Sequence, residues 1–359
     1  MTKHNGILIK NIYYMLSYAY QVLKQKNYQE LASEDFENVQ DLLAGILAVG
    51  MAQQVKQGLY REYVPHTDDI AGLRGRIKIH DTIHKKIKRH ARLACEYDQL
   101  TENNIFNQII KTTAFHLLKS NTVNKSRRHA LKKVLLFFAD VDNLDPAFID
   151  WNTLRFHRNN QNYIMLLNIC SFVLDSLLLT TEKGLYKMSE FSLDEINLAK
   201  LFEKFVLEYY RYHHPMLKAS STQIKWDVDT EYASILPTMY TDVTLRYGDE
   251  MLIIDTKYYN RTMQTHWLFG TQTLHSSNLY QIFSYVKNAD SDKTGNVSGL
   301  LLYAKTGESI STNCDVIIDG NRISVRILDL NVPFPEIAAQ LDDIATSFFE
   351  TYSISTTER

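Results

Sequence analysis

Two aspartates and a lysine, Asp242, Asp255 and Lys257, stand in a stretch whose pattern predicts a β-hairpin. Two runs of strand-forming residues flank a turn that contains a Gly-Asp pair. If residues 247–250 form the loop, the register that follows places Asp242 directly opposite Asp255. Lys257 lies two residues beyond Asp255, so its side chain points to the same face of the sheet. The three side chains are therefore predicted to converge.

Two carboxylates that face each other on a sheet repel unless something neutralises their charge. A divalent cation would do so, and carboxylate oxygens together with water suit Mg²⁺. The metal would polarise a phosphate and supply hydroxide, while Lys257 would orient or deprotonate a water or stabilise phosphate charge. An Asp-x-Lys segment alone usually marks a solvated strand face. The hairpin register, and the apolar run 252–254 before Asp255, favour a metal site at a sheet edge.

Two helical features fit the same site. Glu203 would add a third carboxylate ligand, and the alternative is a surface glutamate. Gln281 and Tyr285 are four residues apart and share one helix face, where they would hydrogen-bond DNA phosphate or brace Lys257. The alternative for this pair is a packing tyrosine beside a surface glutamine.

The elements around these residues predict an α/β domain with a central mixed sheet flanked by helices. Apolar periodicity predicts helices and strands in the second half of the chain. The helices are expected at 163–179, 194–212, 277–288 and 334–351, and the strands within 222–259 and at 298–304, 313–319 and 322–330.

The first half of the chain is predicted to be mostly helical, so the whole chain is α+β. Helices are expected at 11–22 and 41–57, then a β-rich stretch over 58–80, then an amphipathic helix over 99–120 capped by Thr101 or Asn103. Acidic and polar turn residues between 140 and 162 predict a domain boundary. The division expected is residues 1–155 and residues 156–359, the second of which holds every candidate catalytic residue.

Basic residues of the first half are candidates for contact with DNA phosphates or with a partner protein. The alternative for the segment 80–92 is a solvated helix face. The candidates are Arg74, Arg76, Lys85, Lys86, Lys88 and Arg89.

Composition and sequence motifs exclude several classes of protein. The formal net charge of -2 over 359 residues excludes a chain that is basic throughout, so DNA contact must use local patches or a partner. No Gly-xxxx-Gly-Lys-Ser/Thr loop is present, so nucleotide is not held in that manner. The three cysteines fit neither a zinc site nor a disulfide framework, which indicates the cytoplasm. Polar residues interrupt the apolar run 163–179, which favours a buried helix and no membrane span.

The candidate site residues together resemble those of the PD-(D/E)xK nuclease superfamily, in its RecB-like form. The namesake proline is absent, because Thr241 precedes Asp242. Nearly the whole chain further resembles McrC, the family of nuclease subunits of McrBC 5-methylcytosine-dependent restriction systems. This second resemblance rests on the order and spacing of segments 11–20, 72–77 and 104–112 and the nuclease motifs.

The resemblance implies a Mg²⁺-dependent endonuclease that cuts double-stranded DNA together with a separate AAA+ GTPase, McrB. That partner forms rings, binds the GTP and reads modified DNA. The first half of the chain would dock on the ring and stimulate its GTPase, and cleavage would follow when translocating complexes meet. A second function class stays open, in which the chain is a non-catalytic activator of the motor with an inert nuclease fold.

Overall fold

Helices and strands alternate along the chain of this computed structural model. The helices are α1 (Ile9–Ala19), α2 (Val39–Gln57), α3 (Ile79–Ile87), α4 (Ile105–Lys119), α5 (Lys125–Leu135), α6 (Tyr163–Thr181), α7 (Glu195–His213), α8 (Ser276–Ala289) and α9 (Phe334–Phe348). The strands are β1 (Lys3–His4), β2 (Ile7–Leu8), β3 (Glu62–Ile70), β4 (Arg76–Ile77), β5 (Leu93–Thr101), β6 (Gln223–Ile224), β7 (Met239–Tyr240), β8 (Val243–Tyr247), β9 (Glu250–Lys257), β10 (Met263–Thr265), β11 (Gln272–Leu274), β12 (Val297–Lys305), β13 (Cys314–Ile318) and β14 (Asn321–Asp329).

The structure describes most of the chain, in these ranges: 3–4, 6–20, 31, 34–87, 91–158, 160–181, 195–228, 235–258, 263–265, 272–305 and 313–349. The chain divides into two compact units. The first unit comprises Met1–Leu42 and Ser192–Arg359, and the second unit comprises Leu43–Phe191.

A five-stranded mixed sheet forms the centre of the first unit, in the order β13-β14-β12-β9-β8. The three inner strands run parallel, while β8 and β13 pair antiparallel at the two edges. Helix α8 lies against β12, and Gly299 permits its close approach. A Cβ at Gly299 would stand 2.8 Å from side-chain atoms of both Ile282 and Val286. The sheet that the sequence predicts is therefore present, with helices packed on it.

The amino-terminal segment belongs to this first unit. Helix α1 packs on α7, and the buried Asn11 amide donates 2.8 Å hydrogen bonds to the carbonyls of Leu330 and Val332, just after β14. The ring of Tyr14 stacks on Phe334 with centroids 4.4 Å apart. The first residues of the chain are thus held by its last strand and helix.

We expect Asn11→Ala to destabilise the first unit by about 1–3 kcal/mol. It removes the donor to the Val332 carbonyl and one of two donors to the buried Leu330 carbonyl, the other being the Leu8 amide at 3.3 Å. The free energy of unfolding in urea measures this. The matched control is Asn143→Ala, since Asn143 is exposed and its loss should change stability by less than ~0.5 kcal/mol. Equal stability of the two variants would contradict the anchoring role of Asn11.

The second unit contains the β3-β5-β4 sheet and helices α3 to α6. Helix α6 belongs here, because the Tyr163 hydroxyl donates to Asn107 Oδ1 at 3.0 Å and accepts from the Tyr60 amide at 2.9 Å. The expected boundary between residues 155 and 156 therefore differs from the division in the structure. The turn-rich residues 140–158 lie inside the second unit. Residues 1–42 belong to the first unit because of their long-range contacts.

A smaller correction concerns the helix expected over 99–120. Strand β5 continues to Thr101, and α4 begins at Ile105. Its cap is Asn104, whose side chain accepts from the Asn107 amide at 3.2 Å, rather than Thr101 or Asn103. Antiparallel pairing with β3 continues to the pair Glu62–Thr101, which extends the strand to that residue.

The described helices are too short or too polar to cross a membrane. In α6, the apolar residues up to Leu174 are almost all buried, which agrees with a core helix. The three cysteines are free thiols.

Candidate active site

The hairpin that carries the aspartates has the predicted register. Arg246 pairs with Met251 and Val243 with Ile254, so the next position of the ladder places Asp242 opposite Asp255. The turn is shorter than the predicted four-residue loop, because Tyr247 and Glu250 also pair. The register is unchanged. Gly248 has φ +57°, a left-handed conformation that glycine adopts without strain.

Asp255 is almost completely buried between β8 and β12, with 1% of its surface exposed. Neither carboxylate oxygen has a hydrogen-bond partner among the described residues, although Lys257 Nζ lies 2.7 Å from Oδ2 as an ion pair outside hydrogen-bond geometry. Burial raises the pKa of Asp255 to about 6, with Asp242 acting in the same direction and Lys257 against it. A buried carboxylate in this state is costly when ionised, and a bound cation would relieve that cost.

A chain of hydrogen bonds holds Lys257. Its ammonium donates to Gln281 Oε1 at 3.0 Å, and Gln281 Nε2 donates to the Tyr285 hydroxyl at 2.9 Å. Tyr285 itself is 8% exposed and packs in the core cluster between α8 and the sheet. The structure thus brings these three residues together with Asp255. Contact of Gln281 or Tyr285 with DNA stays a prediction.

The other predicted metal ligands are placed nearby, though they do not form a closed cage. Asp242 Oδ2 accepts from the amide and the hydroxyl of Thr256, at 2.7 and 2.8 Å. Burial raises the pKa of Glu203, and the charge of Asp242 raises it further. The two carboxylates therefore interact electrostatically. Within the described ranges, no three acidic, histidine or cysteine side chains cluster tightly enough to hold a metal by themselves.

These donors fit a magnesium ion that keeps several waters. Both oxygens of Asp255 are buried without a hydrogen bond from the described residues, and Asp242 follows in register on the neighbouring strand. Mg²⁺ is usually held by one or two carboxylates with water and substrate phosphate completing its shell. A complete protein cage is therefore not required for the fit.

Two supporting contacts did not emerge from sequence patterns. Thr256, between Asp255 and Lys257, holds the carboxylate of Asp242. Asn278 Nδ2 donates to the Tyr303 hydroxyl at 3.0 Å and fastens the first turn of α8 to β12. The alternation of β9 would place Thr256 on the opposite face from its neighbours, so sequence spacing gave no signal for its bond to Asp242.

The basic candidates of the first half lie in the second unit. The Arg74 guanidinium stacks 4.0 Å above the Tyr97 ring, and Lys85 forms an ion pair with Asp69. Arg76 lies in β4 and is exposed, as is Lys86. Lys88 and Arg89 lie outside the described residues.

Comparison with known proteins now identifies the family. The family model described as "McrBC 5-methylcytosine restriction system component" matches residues 3–304. The chain belongs to this family. The McrBC match includes the hairpin, β9 and α8, and therefore every candidate catalytic residue.

The chain is also similar to individual proteins of McrBC systems. The chain is 28% identical over 347 residues to the type IV methyl-directed restriction enzyme EcoKMcrBC of Escherichia coli K12, covering 96% of this chain and 99% of that protein. A half-complex of Thermococcus gammatolerans McrB AAA+ hexamers with bound McrC matches at TM-score 0.49 and 16% identity, over 94% of this chain and 76% of that one. A second T. gammatolerans McrBC structure matches at TM-score 0.42 and 20% identity, over 57% and 58%.

Proposed function

We propose that this McrBC-family chain is the Mg²⁺-dependent endonuclease subunit of a 5-methylcytosine-dependent restriction complex, with a PD-(D/E)xK catalytic site. The observation that carries the proposal is the buried Asp255 carboxylate, which forms an ion pair with Lys257 but accepts no hydrogen bond from the described residues, while Gln281 holds the lysine in place. A purely structural ion pair would not leave both buried oxygens of the aspartate without hydrogen bonds.

The residues divide the chemistry among them. Asp255 and Asp242, with Glu203 as the further carboxylate, would hold the metal. When bound, Mg²⁺ would supply the positive charge that polarises the scissile phosphate and acidifies a water. Lys257 places a second positive charge beside the phosphate, where it stabilises the negative charge that develops during attack. Gln281 and Tyr285 fix the lysine in that position, so little reorganisation is needed at the moment of reaction.

We infer that a ring-forming AAA+ GTPase delivers the DNA. The solved relatives are complexes of McrB AAA+ hexamers with McrC, and this sequence lacks a nucleotide-binding loop of its own. GTP would therefore bind to the partner, and the second unit, with its exposed basic residues, would contribute to docking. The free cysteines suit the cytoplasm that we propose for this activity.

Cleavage of methylated plasmid by the chain with its GTPase partner, GTP and Mg²⁺ tests the function. We expect Lys257→Ala to cut on the order of 100-fold to 1000-fold more slowly, because it removes preorganised positive charge. Stabilisation of the protein by Mg²⁺ should persist, since lysine is not a ligand.

The matched control is Lys287→Ala. Lys287 also forms an ion pair, with Asp319 at 2.9 Å, and its ammonium donates to Asn321 Oδ1 rather than to a candidate residue. The control should cut at nearly the normal rate. A folded Lys257→Ala protein with normal cleavage would refute the site. A wild-type chain that stimulates the GTPase yet never cuts would instead establish the inert-activator alternative.

A further inference from the structure

Helix α5 of the second unit is the most concentrated positive segment of the described chain. Its eleven residues include five lysines or arginines and no acidic residue. The remaining residues then carry 34 basic and 41 acidic side chains, a charge of -7 beside the +5 of this helix. A charge contrast of this size within one chain marks a local surface for an anionic ligand.

Four of the five basic side chains lie on one face. Leu131 is completely buried and anchors the opposite face of the helix. Lys125, Lys132 and Lys133 are exposed, and Arg128 is half-buried. These four make no ion pair with any residue in the described ranges. From Lys125 to Lys133 the face extends about 12 Å, enough to meet several phosphates of a duplex.

This arrangement is unfavourable for the helix alone. Arg128 and Lys132 are like charges four residues apart, which repel across one turn. Lys125 and Arg128 also lie near the helix amino terminus, where the dipole favours acidic residues and the first turn has none. Asn124 caps the helix through the Ser126 amide, so the helix forms in spite of its charges. A bound polyanion would neutralise these like charges and would itself be attracted to them.

We propose that this face of α5 is a DNA-binding surface that contacts successive backbone phosphates, in addition to the metal site of the first unit. The proposal rests on the proposed function in one respect, since that function makes double-stranded DNA the ligand. Phosphate contacts of this kind position a duplex and read no sequence. These contacts attract the DNA to the chain, whereas the remaining residues carry a net negative charge and do not attract it.

The test is binding of the full chain to a fluorescent duplex of about 30 base pairs, long enough for several phosphate contacts, in the presence of a chelator and without the partner. We expect Lys132→Gln/Lys133→Gln to bind on the order of tenfold more weakly at low salt. The slope of log affinity against log salt concentration should fall in magnitude by about 1.8, or ~0.9 per lost phosphate contact. The melting temperature should stay the same or rise, because repulsion within the helix is relieved.

The matched control is Lys56→Gln/Lys225→Gln, which removes the same charge from two exposed lysines outside α5. Its affinity and salt slope should stay close to those of the wild type. The proposal would be overturned if both double variants lost the same amount of DNA affinity. It would also be overturned if the wild type bound no duplex at low salt. Leu136 and Phe137 are also exposed at the end of the helix, so binding to the GTPase partner is measured too.

If the α5 variant keeps its DNA affinity and loses the GTPase partner, the surface is a protein-docking site and the proposal is wrong. Failure of the wild type to cleave DNA would refute the proposed nuclease function. It would leave this binding result unaffected, because the chelator removes the metal site from the measurement.

Discussion

Replacing Asp255 by asparagine should abolish DNA cleavage and at the same time stabilise the metal-free protein. Cleavage is lost because a charged metal ligand becomes neutral, and we expect a decrease of at least about 1000-fold. Stability rises because burial of the ionised carboxylate costs more than its ion pair with Lys257 offsets, which is why its pKa is raised to about 6. Its replacement should raise the free energy of unfolding by on the order of 1–3 kcal/mol.

The pH dependence of this effect follows from the raised pKa. Asp255 has a pKa of about 6 in the folded protein and an ordinary value of 3.8 when unfolded. The unfolded chain therefore releases its proton at lower pH, and the metal-free wild type loses stability as pH rises from about 4 to 6. The asparagine variant lacks this loss. The difference in stability between the two proteins should therefore be smallest below about pH 4, grow between about pH 4 and 6, and stay constant above about pH 7.

Asp249→Asn is the matched control, since Asp249 is exposed in the turn of the same hairpin. It should leave cleavage and the melting temperature unchanged. Mg²⁺ should stabilise the wild type and this control, and should have little effect on Asp255→Asn. The Asp255→Asn protein should still stimulate a GTPase partner. Normal cleavage by a folded Asp255→Asn protein would remove the aspartate from the catalytic site.

Residues 160–359 expressed alone should fail to fold, whereas residues 1–42 joined to 192–359 by a flexible linker should fold. The 160–359 fragment lacks α1, whose Asn11 and Tyr14 contact the segment after β14. It also retains α6 without the Tyr60 and Asn107 that bond to Tyr163. The linked protein contains every residue of the first unit and none of the second.

Circular dichroism and urea unfolding distinguish the fragment from the linked protein. We expect a single cooperative transition for the linked protein and a gradual, featureless curve or an insoluble product for residues 160–359. A deletion of residues 1–42 from the full chain provides a further comparison, and its first unit should also unfold. Cooperative folding of residues 160–359 would support the predicted boundary near residue 155.

The local pattern of apolar and polar residues predicted those features of the fold that depend on residues close together in the sequence. The hairpin register follows from strand alternation and a short turn, so Asp242 and Asp255 could be paired in advance. The single helical turn between Gln281 and Tyr285 likewise placed both on one face. Helix and strand limits in the second half agreed within a few residues, because apolar periodicity there is regular.

Contacts between distant parts of the chain could not be read in that way. The hydrogen bonds of Asn11 span more than 300 residues, and no periodicity in residues 1–42 indicates their partner. A polar stretch such as 140–158 resembles a linker, yet its side chains cap short turns within one unit. The bond from Thr256 to Asp242 depends on the bend where β8 begins, which residue type alone does not specify.

The discontinuous first unit has a consequence for synthesis on the ribosome. Helix α1 emerges early, but the carbonyls of Leu330 and Val332 that bind Asn11 are made more than 300 residues later. At synthesis rates of ~5–20 residues per second, the helix is without these hydrogen-bond partners for tens of seconds. The aspartates and the lysine of the site are translated before the strands β12 and β14 that complete their sheet. A ribosome that stalls or terminates before β14 therefore releases a chain that lacks the strands needed to complete the sheet around the proposed catalytic site.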